Sequence, residues 1–200
     1  MPAAVHTLDR RPGAVLADAV PGAWIRDVVL VVAGALLTVL GAQIAIHIPP
    51  SPVPVTGQTL AVVIAGAALG ARRGAASQLL YLLLGLAFPV YADGAQGWDV
   101  VWGATGGYLV GFVVAAAVIG RLAELGADRR PAIAFLAFCL GQLAIFGIGV
   151  PWLKVATDMD WGAAIHNGFA IFIVGGLIKA AAGAALVPAA WRGVRRLERR

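Results

Sequence analysis

Charged residues are scarce in this sequence of 200 residues. Asp, Glu, Lys and Arg together make up 12% of it, whereas 60% is hydrophobic and the mean hydropathy is +0.88. So little polar surface could not solvate a globule of this size. The uncharged runs are mostly long enough for about 20 helical residues across a hydrocarbon core of roughly 30 Å. The many Gly and Ala residues suit close packing of membrane helices. The sequence therefore predicts an all-α integral membrane protein.

Three further absences restrict the function. The single cysteine, Cys139, cannot form a disulfide within the chain. No G-x-x-x-x-G-K-[ST] phosphate loop is present, so the chain cannot itself draw work from ATP. No nucleophile stands with a base partner, and His47 and His166 have no metal-ligand spacing to a cysteine or an acid. We therefore predict no enzymatic activity, no cofactor and no metal site.

Six transmembrane helices are predicted, at about residues 27–48, 57–71, 74–92, 104–125, 131–152 and 165–190. The second and third are short for a full crossing. Only Arg72 and Arg73 separate them, which predicts a tight helical hairpin.

The basic residues indicate the orientation, because they favour the cytosolic side of a membrane. With the N-terminus in the cytosol, every arginine of the chain falls on that side. Both termini are therefore expected to be cytosolic. The formal charge of +5 does not indicate a nucleic-acid partner, since the basic residues lie between the apolar runs. We expect a loose cytosolic tail at 1–26, a membrane domain at 27–190 and a basic cytosolic tail at 191–200.

Two external loops have unusual compositions. Residues 48–59, "IPPSPVPVTGQT", contain four prolines, which fix φ and remove backbone donors, so a stiff extended lid is predicted. Residues 91–107, "YADGAQGWDVVWGATGG", contain two acids, two tryptophans and five glycines. This mixture can surround a small molecule with polar groups and flat aromatic surfaces. For the tryptophans, anchoring at the membrane interface is an equal alternative.

Lys179 is the one charged residue between Gly168 and Ala190. It lies 13 residues from His166 and 12 from Trp191, about 20 Å from either end, which is too far for its stem to reach the interface. A charge at this depth costs about 2.5–3.5 kcal/mol even on the lenient insertion scale. We therefore predict a functional site at Lys179 rather than a structural role.

The neighbours of Lys179 on its helix are small. Gly175, Gly176, Ala182 and Gly183 lie one turn away, so the stripe has room beside the lysine. Helical side chains lean toward the helix N-terminus, which here faces outward. A cavity that opens outside and holds an anionic ligand is the simplest explanation. Gln78 and Gln142 are interpreted as hydrogen-bond partners between helices.

Residues 35–185 resemble a known family. The run P-V-P-V-T-x-Q-T is followed in order by L-Y-L-L-L-G, T-G-G-Y-L-x-G-F and "GGLIKAA". This combination is similar to the BioY family, the substrate-binding membrane subunits of energy-coupling-factor biotin transporters.

The resemblance implies a six-helix protein that binds biotin in an outward-facing pocket. Residues 49–59 would cover this pocket as a lid, which contains Pro52, Val53, Pro54, Thr56 and Gln58. The ligand would contact Lys179 and Gly176, the region of Tyr91 to Gly94 with Asp93, and Thr105, Gly106, Gly107 and Tyr108. The family usually has an acid three residues before the lysine, where this chain has Gly176, so we expect Asp93 to supply an acid or the affinity to be lower.

The resemblance also implies partner proteins, namely a membrane coupling subunit and two ATPases. Gly34, Thr38 and Ala42 form a small-residue stripe on the first helix. This stripe is the predicted docking face for the coupling subunit, with packing inside the bundle as an equal alternative.

The predicted function is biotin binding and uptake across the bacterial cytoplasmic membrane. A binding subunit for another vitamin and a stand-alone secondary transporter of a small anionic solute remain alternatives. A membrane enzyme, or a structural bundle that tolerates a buried lysine, is the third.

Overall fold

The computed structural model describes residues 13–20, 22 and 24–198. The α-helices of this part are α1 (Trp24–Ala42), α2 (Gln58–Ala87), α3 (Trp98–Trp102), α4 (Gly106–Glu124), α5 (Pro131–Thr157), α6 (Trp161–Gly168) and α7 (Ile173–Leu197). Two short strands, β1 (Ala45–Ile46) and β2 (Val55–Thr56), form an antiparallel ladder that pairs Ala45 with Thr56. Short 3-10 turns lie at Leu16–Ala19, Ala92–Gly94, Ala127–Arg129 and Ala170–Phe172.

Five helical segments of the described chain are long and apolar enough to cross a membrane. They are Trp24–Ala42, Gln58–Gly94, Gly106–Glu124, Pro131–Thr157 and Trp161–Leu197. The second of them contains the two spans that the sequence predicts at 57–71 and 74–92. The all-α membrane fold is therefore confirmed.

α2 is folded into two antiparallel halves. Its direction reverses at Gly70, whose backbone (φ 83°, ψ 176°) is not helical. Gln58 and Tyr81 hydrogen-bond at 2.5 Å between Nε2 and Oη, although a straight helix would separate them by about 35 Å. The positive φ favours glycine, which explains why the turn is at Gly70 rather than at the two arginines that follow. With both halves of α2 counted, the five candidate spans of the described residues contain six membrane helices, and the predicted hairpin is confirmed.

The last predicted span, 165–190, is not one helix. α6 ends at Gly168, and Phe169 leaves the helical region with φ −134° and ψ −57°. The Tyr108 hydroxyl donates to the Gly168 carbonyl at 2.9 Å, which satisfies this carbonyl where the helix ends. α7 then begins at Ile173 and continues to Leu197.

The predicted tails differ from the structure. Val15 and Ala17 are buried against the bundle, and the Arg73 guanidinium contacts Asp18 at 2.8 Å and Asp27 at 3.2 Å. Residues 14–18 are thus not loose, and α1 starts at Trp24 instead of residue 27. α7 extends through the buried Trp191, so the predicted boundary at 191 falls inside a helix. Residues 1–12 and 199–200 of the two predicted tails lie outside the described part.

The small-residue stripe on α1, one of whose two predicted roles is docking, is buried. Gly34, Thr38 and Ala42 are all buried, and the Thr38 hydroxyl donates to Gln78 Oε1 on α2 at 3.1 Å. A Cβ at Gly34 would lie 2.9 Å from Leu69 and Ser77, so glycine permits the close contact of α1 with α2. The stripe packs inside the bundle, as the alternative interpretation holds, and the predicted role of Gln78 is confirmed.

The core has two clusters, one toward each end of the bundle. One contains Tyr81, Tyr91, Tyr108 and Phe146, and it lies near the lid and the 91–107 loop. The other contains Val15, Phe138, Ala184 and Trp191. Arg73 and Arg129 lie at this second end, and the Arg129 guanidinium stacks 4.8 Å above the Trp191 ring. The arginines described here are thus separated from the lid along the bundle.

Candidate functional site

A cavity of about 280 Å³ lies under the 48–59 segment. Its walls come from this segment, the 91–107 loop, α4, α5 and the start of α7. This volume is close to the lower end of the range for small-molecule sites, roughly 300–1,000 Å³. The cavity can therefore hold one small ligand.

Most of the predicted site residues line this cavity. They are Lys179, Tyr91, Asp93, Thr105 and Tyr108, together with the lid residues Pro52, Val53, Pro54, Thr56 and Gln58. They come from four separate parts of the chain, which the fold brings together around one cavity. A ligand role for these residues stays a prediction.

Gly106 and Gly107 do not line the cavity. A Cβ at Gly106 would overlap the Val101 carbonyl, and one at Gly107 would overlap the Trp152 side chain. These glycines let the start of α4 pack closely against α3 and α5. Their role in the structure is close packing behind the cavity wall, in place of the predicted ligand contact.

Gly176 is likewise turned away from the cavity. Its carbonyl accepts a hydrogen bond of 2.8 Å from Gln142 Nε2 on α5, and a Cβ at position 176 would lie 2.6 Å from Gln142 Oε1. The room expected along the glycine stripe is filled at Gly176 and also at Gly183, which packs on Val63 and Phe138, whereas a Cβ at Gly175 would make only ordinary contacts. The interpretation of Gln142 as a hydrogen-bond partner between helices is confirmed.

Lys179 is half-buried and its ammonium reaches the lid. Nζ donates to the Thr56 carbonyl at 2.7 Å, which confirms that the side chain leans toward the N-terminal end of α7. An ammonium has three N–H donors, so two remain for other partners. Within the described chain no carboxylate forms a salt bridge with Lys179. A ligand in the cavity would thus meet a cation that also touches the lid.

Asp93 is paired with a residue that the sequence did not single out as part of the site. His47 Nε2 lies 3.1 Å from Asp93 Oδ2, and both side chains are more than half exposed. This contact joins the segment after β1 to the 91–107 loop at the edge of the cavity. The expected pairing of Asp93 with Lys179 does not occur in the structure.

The lid is fixed at both of its ends. The Ser51 hydroxyl donates to the Asn167 carbonyl at 2.8 Å and accepts from the Val53 N–H at 3.1 Å. At the other end, β2 pairs with β1 and Thr56 accepts from Lys179. The segment is therefore extended and tied to α6 and α7, as a cover over the cavity must be.

Phenyl rings form much of the wall, and the sequence interpretation missed them. Phe112, Phe146 and Phe172 line the cavity, and the rings of Phe146 and Phe172 have their centroids 5.9 Å apart. Each lies in a long apolar run where core and cavity positions look alike, so no sequence signal separates them. Trp98 and Trp102 instead point outward, with Trp102 stacked on Trp152 at 5.7 Å.

The geometry suits a small amphipathic molecule. Aromatic and aliphatic side chains can bury an apolar ring or chain, while Lys179 and the hydroxyls at the wall can bind polar groups. A lysine cation within a largely apolar wall favours a ligand with an anionic or strongly accepting group.

Comparison with known proteins places the chain among membrane transport proteins. Residues 10–196 match the model of the BioY family. The biotin transporter BioY2 of Lactococcus lactis subsp. cremoris is 39% identical over 153 residues, which cover 72% of this chain and 82% of that protein. The biotin transporter BioY of Rhizobium etli is 34% identical over 170 residues, which cover 80% of this chain and 90% of that protein.

The fold has a match among solved structures. The crystal structure of the S-component for biotin from an ECF-type ABC transporter superposes with a TM-score of 0.76. The match covers 88% of this chain and 93% of that chain, at 22% sequence identity. At this identity the likeness concerns the fold alone.

Proposed function

The chain belongs to the BioY family, and from this membership we propose that it binds biotin as the substrate-specific S component of an ECF transporter. BioY proteins are transport components rather than enzymes. This protein would accordingly capture the vitamin outside the cell and take it across a membrane without changing it.

The single observation that carries the proposal is the position of Lys179. It brings a cation to a cavity of about 280 Å³ whose walls are mostly apolar, beneath a closed lid. Biotin has an apolar thioether ring and chain, a ureido group that donates and accepts, and a carboxylate. The apolar walls match the ring and chain, and the two unused N–H groups of Lys179 match an acceptor of the ligand.

The site residues that we propose to contact biotin are the cavity-lining members of the predicted set: Lys179, Tyr91, Asp93, Thr105 and Tyr108, with the lid residues Pro52 to Gln58. We propose that the lid leaves Asn167 and Lys179 when the ligand enters, because these contacts hold it over the cavity.

The family also implies an ECF module. We propose that this module supplies a membrane coupling subunit and two ATPases, which is supported by the lack of a phosphate loop in this chain. The exposed side chains of α1, among them Val28, Val32, Leu36 and Leu40, face outward, toward lipid or toward such a partner.

We further propose that the protein lies in the bacterial cytoplasmic membrane with both termini in the cytosol. Arg73, Arg121 and Arg129 lie toward one end of the bundle and the lid toward the other. Since basic residues favour the cytosol, the lid would face outward.

Calorimetry of the purified protein in detergent tests the function. Biotin should bind with 1:1 stoichiometry, and thiamine and riboflavin should give no heat. Heat from another vitamin in place of biotin would reassign the substrate. Uptake in cells that lack any coupling ATPase, abolished by an uncoupler, would instead indicate a secondary transporter.

A further inference from the structure

Five hydroxyl groups belong to residues that line the cavity: those of Thr56, Thr59, Tyr91, Thr105 and Tyr108. Four of them donate to protein acceptors. Thr56 donates to Gln58 Oε1 at 2.7 Å, Tyr91 to the Leu82 carbonyl at 2.7 Å, Thr105 to the Val100 carbonyl at 3.3 Å and Tyr108 to the Gly168 carbonyl at 2.9 Å. The Thr59 hydroxyl is buried and has no hydrogen-bond partner among the described residues.

The Thr59 hydroxyl does not bond to either of its usual local acceptors. A threonine inside a helix bonds to the carbonyl three or four residues earlier, but Thr59 is the second residue of α2. The carbonyl three residues earlier, that of Thr56, already accepts from Lys179 at 2.7 Å. The residue four earlier, Val55, belongs to β2 rather than to the helix.

The neighbouring side chains are also engaged. Gln58 uses both ends of its amide, since Oε1 accepts from Thr56 and Nε2 donates to Tyr81 Oη at 2.5 Å. The Tyr81 hydroxyl in turn lies 3.4 Å from the Val90 carbonyl. A chain of hydrogen bonds thus runs from Thr56 through Gln58 and Tyr81 to the Val90 carbonyl without including Thr59.

We propose that the Thr59 hydroxyl is a ligand-binding group that hydrogen-bonds a polar atom of the bound vitamin. Buried polar groups in native proteins are nearly always paired, and one without a partner beside a cavity calls for a specific explanation. A hydroxyl donates and accepts, so it suits a ureido or a carboxyl group. The proposal rests on the proposed function.

The proposal predicts that loss of the Thr59 hydroxyl lowers the affinity for biotin without lowering the stability of the free protein. In Thr59→Val a methyl group replaces the hydroxyl at nearly the same volume, and no protein partner is left unpaired. The melting temperature without ligand should stay the same or rise. The affinity for biotin should fall by about 2- to 10-fold, the equivalent of one neutral hydrogen bond. Thr59→Ser keeps the hydroxyl and should stay within twofold of the wild type.

Thr38→Val is the matched control. Thr38 is a buried threonine whose hydroxyl pairs with Gln78 Oε1, and it does not line the cavity. Its loss leaves Gln78 without that donor, so the melting temperature should fall while the biotin affinity stays unchanged. The two threonines should therefore give opposite patterns.

The experiment is calorimetry with biotin, paired with thermal unfolding in detergent, on the wild type and the three variants. An unchanged affinity in Thr59→Val, or a lower melting temperature without ligand, would overturn the proposal. Wild-type protein that does not bind biotin would instead overturn the proposed function, so the two failures are distinct. Biotin methyl ester as a second probe locates the contact: the Thr59→Val effect becomes smaller on the ester, a weaker acceptor, if the hydroxyl binds the carboxylate, and is unchanged if it binds the ureido ring.

Discussion

Gln142 and Gly176 form one unit across the α5–α7 interface, because the Gln142 amide donates to the Gly176 carbonyl and also occupies the space of a side chain at 176. Lys179 follows Gly176 by one helical turn. The contact therefore fixes α7 close to the residue on which the proposed function depends.

Gly176→Ala should lower the free energy of unfolding by about 1–3 kcal/mol relative to its neighbour Gly175→Ala. The new methyl group displaces Gln142 and leaves a buried amide unpaired, whereas a Cβ at Gly175 meets only Val55 at 3.6 Å. Both changes gain the same helix propensity, so the comparison isolates the contact. Thermal unfolding in detergent measures it, and equal melting temperatures would contradict the prediction.

Lys179→Met should weaken biotin binding by about 10- to 100-fold, since a charge-assisted hydrogen bond is lost at roughly constant side-chain volume. Lys154→Met is the matched control: Lys154 is the one other lysine and does not line the cavity. Calorimetry with both variants gives the answer. Full affinity in Lys179→Met would favour a bundle that merely tolerates a buried lysine.

Ser51→Ala should increase the dissociation rate of biotin by about 2- to 10-fold. The change removes the hydrogen bond from the lid to Asn167, so the closed cover opens more often. Ser77→Ala, at a buried position far from the lid whose hydroxyl donates to Gly74, should leave the rate unchanged. Stopped-flow displacement by excess unlabelled biotin measures both rates, and identical rates would show that Ser51 does not hold the lid.

Arg73→Met should lower the melting temperature by several degrees without a change in biotin affinity. Arg73 joins Asp18, Asp27 and the Leu69 carbonyl, at the end of the bundle away from the cavity. Each partly exposed ion pair contributes up to about 1 kcal/mol. The adjacent Arg72 is exposed and has no ion pair within the described residues, so Arg72→Met should be neutral in both assays. A large loss of affinity in Arg73→Met would show coupling between the two ends.

The membrane helices could be predicted from the sequence because long apolar runs identify membrane spans. The site could be predicted in part because some of its residues are of a type that is rare in their surroundings. Lys179 is conspicuous because charge is rare inside a membrane helix. The lid is conspicuous because four prolines fall within residues 49–54. Phe112, Phe146 and Phe172 are ordinary apolar residues, so only the tertiary packing reveals that they face a cavity.

The errors concern small residues. The stripe of Gly34, Thr38 and Ala42 was interpreted equally as a docking face or as packing inside the bundle, and Gly176 was assigned to the ligand. Gly34, Thr38 and Gly176 each contact another helix of the same chain, and Ala42 is buried. A stripe of small residues indicates that another helix or a ligand packs closely against it. The stripe alone does not show whether this partner belongs to the same chain, to another protein or to a ligand. The break at Phe169 was missed for a related reason, since the Tyr108 hydroxyl that satisfies the Gly168 carbonyl lies 60 residues away.

The first half of α2, residues 58–69, has a consequence for the depth of the lid. Its 12 residues rise about 18 Å, well short of a hydrocarbon core of roughly 30 Å. In a membrane whose cytosolic surface lies at the Gly70 turn, the lid attached to its start lies below the level of the opposite headgroups, where backbone N–H groups without partners are costly. The prolines at 49, 50, 52 and 54 have no N–H to satisfy. A proline-rich lid can thus lie at this depth without regular secondary structure, because few of its backbone N–H groups lack a hydrogen-bond partner.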